Sequence, residues 1–432
     1  MIKKFKMLAV AAAAATLAPA VFAQGVEFHG YLRTQVGSTS EGGGLQCFGG
    51  DGYWPIRAKY RLGNECDSYG EAAVVAPFGK ADGAWAKYNL MLALREDNAN
   101  DFESVNNNNY EIASRQNYFI GGGFFGEGNA FENAKVWIGK RYYNRHDIHI
   151  NDYYYWNNSG PGAGIEDIAL GSVAKFAFAY HSRNGSSSSD ASASGGTSGN
   201  TGNGHPASDV ITKRLSFRGY DLATNPNGKL EGELVYLFGS TAGTTAEGKG
   251  TQLFLEHTQS NLFGNGYNKF AIVYGNKLGA GYEWAPTYVS GDEGSEGKNS
   301  IRFHETFFFD LANTNISGMA TASYARINQK NGNETEWISA GIRPQYAFSD
   351  NFSLAAEAGY DQGKDGDGPT RKLAKVTIAP QLQLTKGFWA RPVFRLFATY
   401  AKWNSAMGTV ANGVFGDDTH GMTYGAQVEA WW

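Results

Sequence analysis

Pairs such as Tyr31 with Arg33, Tyr69 with Glu71, and Trp431 with Glu429 set an aromatic ring two positions from a charge. In an extended strand, positions i and i+2 share a face, so each pair offers a ring and a charge to the same surroundings. That combination suits a sugar. The axial hydrogens of a pyranose lie flat on an aromatic plane, while its hydroxyl rim takes hydrogen bonds from charged groups. Taken singly, each ring could equally pack beneath an inward loop. Reaction chemistry finds less support. The glycine-rich run Gly121–Gly128 lacks the helix that a phosphate cradle requires. His146 and His149 have no third metal ligand near them and read as loop hydrogen-bonders. There is no G-x-S-x-G elbow, and the carboxylates are scattered. No enzyme activity, cofactor or metal is expected.

The elements that would position these residues are strands. Near the start, Val26, Phe28, Leu32 and Val36 alternate with Glu27, His29, Tyr31, Arg33 and Gln35. Residues 59–71 read as a second strand, with Lys59, Arg61, Glu65, Asp67, Tyr69 and Glu71 on one face. Over 173–181, Ala174, Phe176, Phe178 and Tyr180 oppose Lys175 and His181. The final residues set Tyr424, Ala426, Val428, Ala430 and Trp432 against Gly425, Gln427, Glu429 and Trp431. Nowhere does a helical period persist.

A soluble sandwich would fill its apolar faces with Leu, Ile and Val. Here those faces are aromatic near strand ends and small-aliphatic between, and the opposite faces carry charge. That pattern predicts an all-β transmembrane antiparallel barrel with lipid outside, a wet lumen inside and aromatic girdles at both interfaces. Its 61 aromatics (27 Phe, 24 Tyr, 10 Trp) sit in a chain with 18% charged residues, which fits two faces of different character. The 57 glycines are assigned to turns and loops. Residues 1–23 have a Lys3/Lys4/Lys6 start, an apolar Met7–Leu17 core and small Ala23, and predict a cleaved export signal. Its removal takes three lysines and no acid, moving the formal charge from −4 to −7 and leaving no basic patch for nucleic acid. Residues 24–432 form one domain. At roughly 20–25 residues per strand and connection it holds about 16–20 strands, enough for an aqueous channel. Asn225–Gly228 and Asp350-Asn351 suit short turns, whereas low-complexity 184–204 and polar Gly291–Ser300 suit outer loops. The two cysteines, Cys47 and Cys66, have no metal-ligand neighbours and predict a disulfide in an exported protein.

Several stretches carry a closer likeness: VEFHGYLR (26–33), KYRLGNEC (59–66), GKRYYNRHDIHINDYYYWNNSGPGAG (139–164), EHTQS (256–260), YNKF (267–270), GIRPQY (341–346), RPVFRLFATYAKW (391–403) and GAQVEAWW (425–432). In these the sequence resembles the maltoporin family of outer-membrane sugar porins of Gram-negative bacteria. The resemblance implies an 18-stranded barrel in a homotrimer set in outer-membrane lipid, passing maltose and maltodextrins by facilitated diffusion. It maps the family's aromatic slide onto Tyr31, Tyr69, Phe102, Tyr267, Trp389 and Trp431. Two depart from the family type: Tyr267 stands for Phe and Phe102 for Trp. Phe102, placed by NDFES (100–104), would reach over from a neighbouring subunit. The polar track maps to Arg33, Arg61, Glu71, Arg115, Arg145, Asp147 and Asp152. Tyr154 falls at the constriction on an inward loop, and Cys47–Cys66 matches the family's loop disulfide. Loops 184–204 and 404–420 diverge and would set entry or phage recognition. Selectivity for another oligosaccharide, such as sucrose or an aryl-glucoside, or general porin behaviour remains the alternative.

Overall fold

The structure, a computed structural model, describes residues 25–49, 53–79, 83–98, 101, 103–105, 110–185, 210–241, 247–281, 297–329 and 332–432. The expected export signal 1–23, most of 184–204 and of 291–300, and Phe102 lie outside the described residues. β1 (Glu27–Thr39), β2 (Ser68–Gly79), β3 (Trp85–Glu96), β4 (Tyr110–Gly122) and β5 (Lys135–Arg141) come first. A short hairpin follows, β6 (Arg145–Ile148) and β7 (Tyr153–Asn157). Next are β8 (Gly160–Leu170), β9 (Ala174–Gly185), β10 (Val210–Asn225), β11 (Gly228–Thr241), β12 (Glu247–Leu262) and β13 (Gly266–Lys277). The chain ends with β14 (Gly297–Asp310), β15 (Ile316–Gln329), β16 (Glu334–Ala347), β17 (Phe352–Asp365), β18 (Arg371–Gln383), β19 (Val393–Trp403) and β20 (His420–Trp431).

Apart from β6 and β7, the strands form one 18-stranded antiparallel sheet, and β20 returns to pair with β1. Closure leaves no edge, which is what lets strands cross a bilayer with every backbone donor paired. Alternation decides the faces. Along β19, Phe394, Leu396 and Tyr400 are exposed on the outside, while Arg395, Phe397 and Thr399 point into the lumen. The expected parities of β1, β9 and β20 hold in the same way: Phe28, Phe178 and Tyr424 face out, and Gln35, His181 and Gln427 face in.

One expected strand is different. Only the end of 59–71 is extended, since β2 begins at Ser68. Residues 53–67 instead fold into the lumen and are held by the Cys47–Cys66 disulfide. The alternating charges there face loop and wall partners rather than one strand's flank. Lys375 of β18 donates to the carbonyls of Phe48 (2.9 Å) and Tyr60 (3.3 Å), and Glu357 of β17 accepts from the Leu62 amide at 2.9 Å. The Tyr60 ring packs against Gly341 and Gly359, which stand opposite each other on β16 and β17, and a Cβ at either would collide with the ring. These glycines therefore serve strand interiors beneath a loop, a use that composition assigned only to turns.

Among the described residues, the two largest of four apolar clusters lie beneath the inward segments. The β6–β7 hairpin presses Ile148, Ile150, Tyr153, Tyr155 and Trp156 onto Val235, Phe254, Val273 and Trp337 of the inner wall. Trp156 stacks on Phe254 at 5.0 Å and 11°, and its indole N–H donates to Glu233 at 2.6 Å. Loop 404–420 covers the other core, setting Met407, Val410 and Phe415 against Phe48, Ile56 and Trp403. The two inward segments join directly: the Lys59 amide donates to Asn151 O (3.2 Å) and the Arg61 amide to Ile150 O (3.0 Å).

Candidate functional site

Barrel closure gathers aromatic residues from both chain ends into one file. Tyr69 lies at the start of β2, near the longer loops, and its ring centroid is 6.3 Å from that of Tyr31. Tyr31 is in register with Trp431 across the β1–β20 seam. Trp431 lies 6.5 Å from Trp389, which the β18–β19 turn carries at the short-turn end. Phe308 of β14 bridges onward, 5.6 Å from Trp389 and 5.3 Å from Tyr267 on β13. Five of the six expected slide positions thus form one descending path, and Phe102 lies outside the described residues. Trp389 and Trp431 each keep 36% exposure, while Phe308 and Phe388 behind them are buried. The rings at the surface are open to a guest; those behind are backing.

Charge lines the same path. Arg33 donates to Asp152 at 3.0 Å and to Asp67 at 3.2 Å, with its guanidinium carbon 5.3 Å from the Tyr69 ring centre. Arg61 pairs with Glu65 and donates to the Tyr31 hydroxyl at 2.5 Å. Glu71 accepts from Tyr69 (2.7 Å) and Tyr142 (2.5 Å). Arg115 is the extra residue of a bulge opposite Met91/Leu92, which aims its side chain at the Tyr142 hydroxyl, 2.5 Å away. Arg145 is held between the rings of Tyr142 (3.8 Å) and Tyr154 (4.0 Å). Asp152 closes the hairpin tip in the left-handed region at φ 52°, a conformation that Asp tolerates. Burial raises its carboxyl pKa, but Arg61, Lys59 and Arg33 outweigh this and hold it well below the usual carboxylate range. Every expected track residue therefore lies on the lumen side.

A cavity of about 260 Å³ opens where path and track meet, lined by Tyr267, Trp389 and Trp431 together with Asp147, His149 and Lys269. Stacking planes faced by a carboxylate and an ammonium can hold a ring-shaped polyol and release it stepwise. Among the described residues, no group of three or more His, Cys, Asp or Glu could hold a metal.

Residues 26–432, nearly the whole chain, match the LamB porin family. The chain belongs to that family.

As a LamB porin it is an outer-membrane channel of a Gram-negative bacterium rather than an enzyme. Similar solved structures include OmpF of Salmonella typhi in complex with daunomycin, at 8% identity and TM-score 0.47, covering 94% of this chain and 97% of that one. The anion-selective porin of Comamonas acidovorans matches at 12% identity and TM-score 0.43, covering 94% and 99%. In-vitro folded OmpT of Vibrio cholerae, in trimer form, matches at 11% and TM-score 0.41, with the same coverage.

In this LamB porin some residues at the site escaped sequence reasoning. Phe308, Phe388 and Lys269 carry the same two-residue spacing of ring and charge, in Phe308/Asp310, Lys386/Phe388 and Tyr267/Lys269, and Phe308 shares parity with inward His304. His149 bears on aromatic rings rather than on a hydrogen-bonding loop, 5.0 Å from Trp389 and 6.2 Å from Trp431. His146 does bond as expected, bridging Glu231 (3.3 Å) and Glu256 (3.2 Å) beneath the hairpin. Burial lowers its pKa, but bonds to Glu231 and Glu256 prevail and bring it up to about 9. A raised pKa anchors the hairpin fully below about pH 6.5 and loses hold as pH climbs through about 9, a contribution of about 3 kcal/mol. Open-channel current noise should therefore rise between about pH 8 and 10. His146→Gln should remove that step, and a variant with an unchanged step would refute the anchor.

Proposed function

We propose that the channel conducts maltose and maltodextrins by facilitated diffusion as a homotrimer, delivered to the outer membrane by the signal at 1–23. Glucosyl rings slide along Tyr69, Tyr31, Trp431, Trp389 and Tyr267, while their hydroxyls exchange partners among Arg33, Arg61, Glu71, Arg115, Arg145, Asp147 and Asp152. Phe102 takes the first capture step, and Tyr154 narrows the passage. The observation that carries this reading is the continuous aromatic file flanked along its length by ionised groups. A passage needs successive weak sites, because a guest bound too tightly would not leave. A file of similar rings supplies them.

Titrating maltotriose, sucrose and cellobiose against single-channel current in planar bilayers tests the substrate. Maltotriose should block at the lowest concentration, and a preparation blocked better by sucrose would transfer the reading to another oligosaccharide. In the same assay Tyr154→Ala should raise open conductance, because the ring that steadies Arg145 in the passage is gone.

A further inference from the structure

Two residues outside the aromatic file and its charged track hold three of the rings. Arg391, in the β18–β19 turn, and Glu429, on β20, form an ion pair with side chains only 2% and 4% exposed. Arg391 donates from Nη2 (2.6 Å) and Nε (3.0 Å) to one oxygen of Glu429. Its remaining arm, Nη1, donates to the carbonyls of Phe388 (3.0 Å) and Ala390 (2.8 Å), the residues on either side of Trp389. The guanidinium plane also covers the Trp431 ring, 4.1 Å from its centre. One planar cation thus fixes the backbone that carries Trp389 and covers one face of Trp431.

Glu429 extends the bracket to the third ring. Its other oxygen accepts from the Tyr31 hydroxyl at 3.2 Å and pairs with Arg61 at 3.3 Å. Arg395 approaches the first oxygen at 3.3 Å. Three arginines therefore share one carboxylate, which ties the inward loop, the seam strands and the short turn to a single point. Among the described residues, no second carboxylate pairs with Arg391 or Arg395.

We propose that Arg391 and Glu429 are the positioning pair of the lower slide: they set the ring geometry of Tyr31, Trp389 and Trp431 without touching the passing sugar, and Glu429 fixes the ion preference of that stretch. This rests on the sugar-channel reading above. The geometry requires arginine specifically, because an ammonium can meet Glu429 but cannot at once bracket two carbonyls and lie flat on an indole.

The test compares Arg391→Lys and Glu429→Gln with the wild-type trimer in planar bilayers, reading maltotriose block and reversal potential in a salt gradient. R391K should leave the reversal potential unchanged and weaken block by roughly tenfold, since charge is kept and ring placement is lost. E429Q should weaken block and also shift the reversal potential toward anions, because three guanidinium groups lose their counter-charge. Wild-type block in R391K would overturn the proposal, as would an unmoved potential in E429Q. A wild-type channel that maltotriose does not block at all would defeat the sugar reading alone. The pair would then be judged by the crystal structure of E429Q, where displaced Trp389 and Trp431 rings support it and unmoved rings overturn it. Should R391K fail to assemble, E429Q provides both readouts.

Discussion

Replacing Trp389 by alanine should weaken maltotriose block by roughly tenfold, the equivalent of about 1.4 kcal/mol for one lost stacking plane. With Trp431, Trp389 is the most exposed ring of the file. It keeps 36% exposure while Phe308, Phe388 and His149 crowd its back at 5.6, 4.9 and 5.0 Å. Those neighbours fix the plane before a sugar arrives, so little ordering cost remains to be met on binding. Trp389→Phe keeps a smaller plane and should recover part of the loss. The rate of sugar escape should change more than the rate of entry, because the ring acts after capture. Unaltered block in the alanine variant, with normal open conductance, would remove Trp389 from the path.

The second large effect is expected at Trp156, which touches no part of the path. Trp156→Ala should cost about 3–5 kcal/mol of hairpin docking, the range for deleting a buried indole. Its ring lies on Phe254 at 5.0 Å, and Glu233 would lose a 2.6 Å donor while remaining buried. The barrel wall should survive, since its ladders do not pass through the hairpin. The change should appear as larger and noisier conductance with heat stability of the barrel retained. A quiet, wild-type-sized channel would mean that other anchors, such as Tyr155 to Glu256 at 2.5 Å, suffice alone.

Much of the barrel was legible because strand period and chemical face are coupled. A strand between lipid and water must alternate, so Phe394, Leu396 and Tyr400 against Arg395 and Thr399 reveal their faces without coordinates. The same rule misled at 59–67, where alternating Lys59, Arg61 and Glu65 belong to a disulfide-closed segment inside the lumen. A folded loop beside a charged wall can reproduce a strand's charge spacing, because partners on both sides select for it. Glycine gave the opposite error. At Gly341 and Gly359 the missing side chain makes room for Tyr60, a contact between residues nearly three hundred positions apart that composition cannot express.

By itself the sequence determined the class of fold, the inward parity of Tyr31, Arg33, Glu429 and Trp431, and the motifs that resemble a family of sugar porins. These are local properties, written in neighbours two positions apart. Only the tertiary structure decided the order of the rings and what holds them. Tyr31 and Trp431 meet because the first strand pairs with the last. Tyr267 joins through Phe308, and Arg391 reaches Trp389, Trp431 and Glu429 together because a turn folds back toward the seam. Closure of the barrel sets those distances, and no spacing along the chain encodes them.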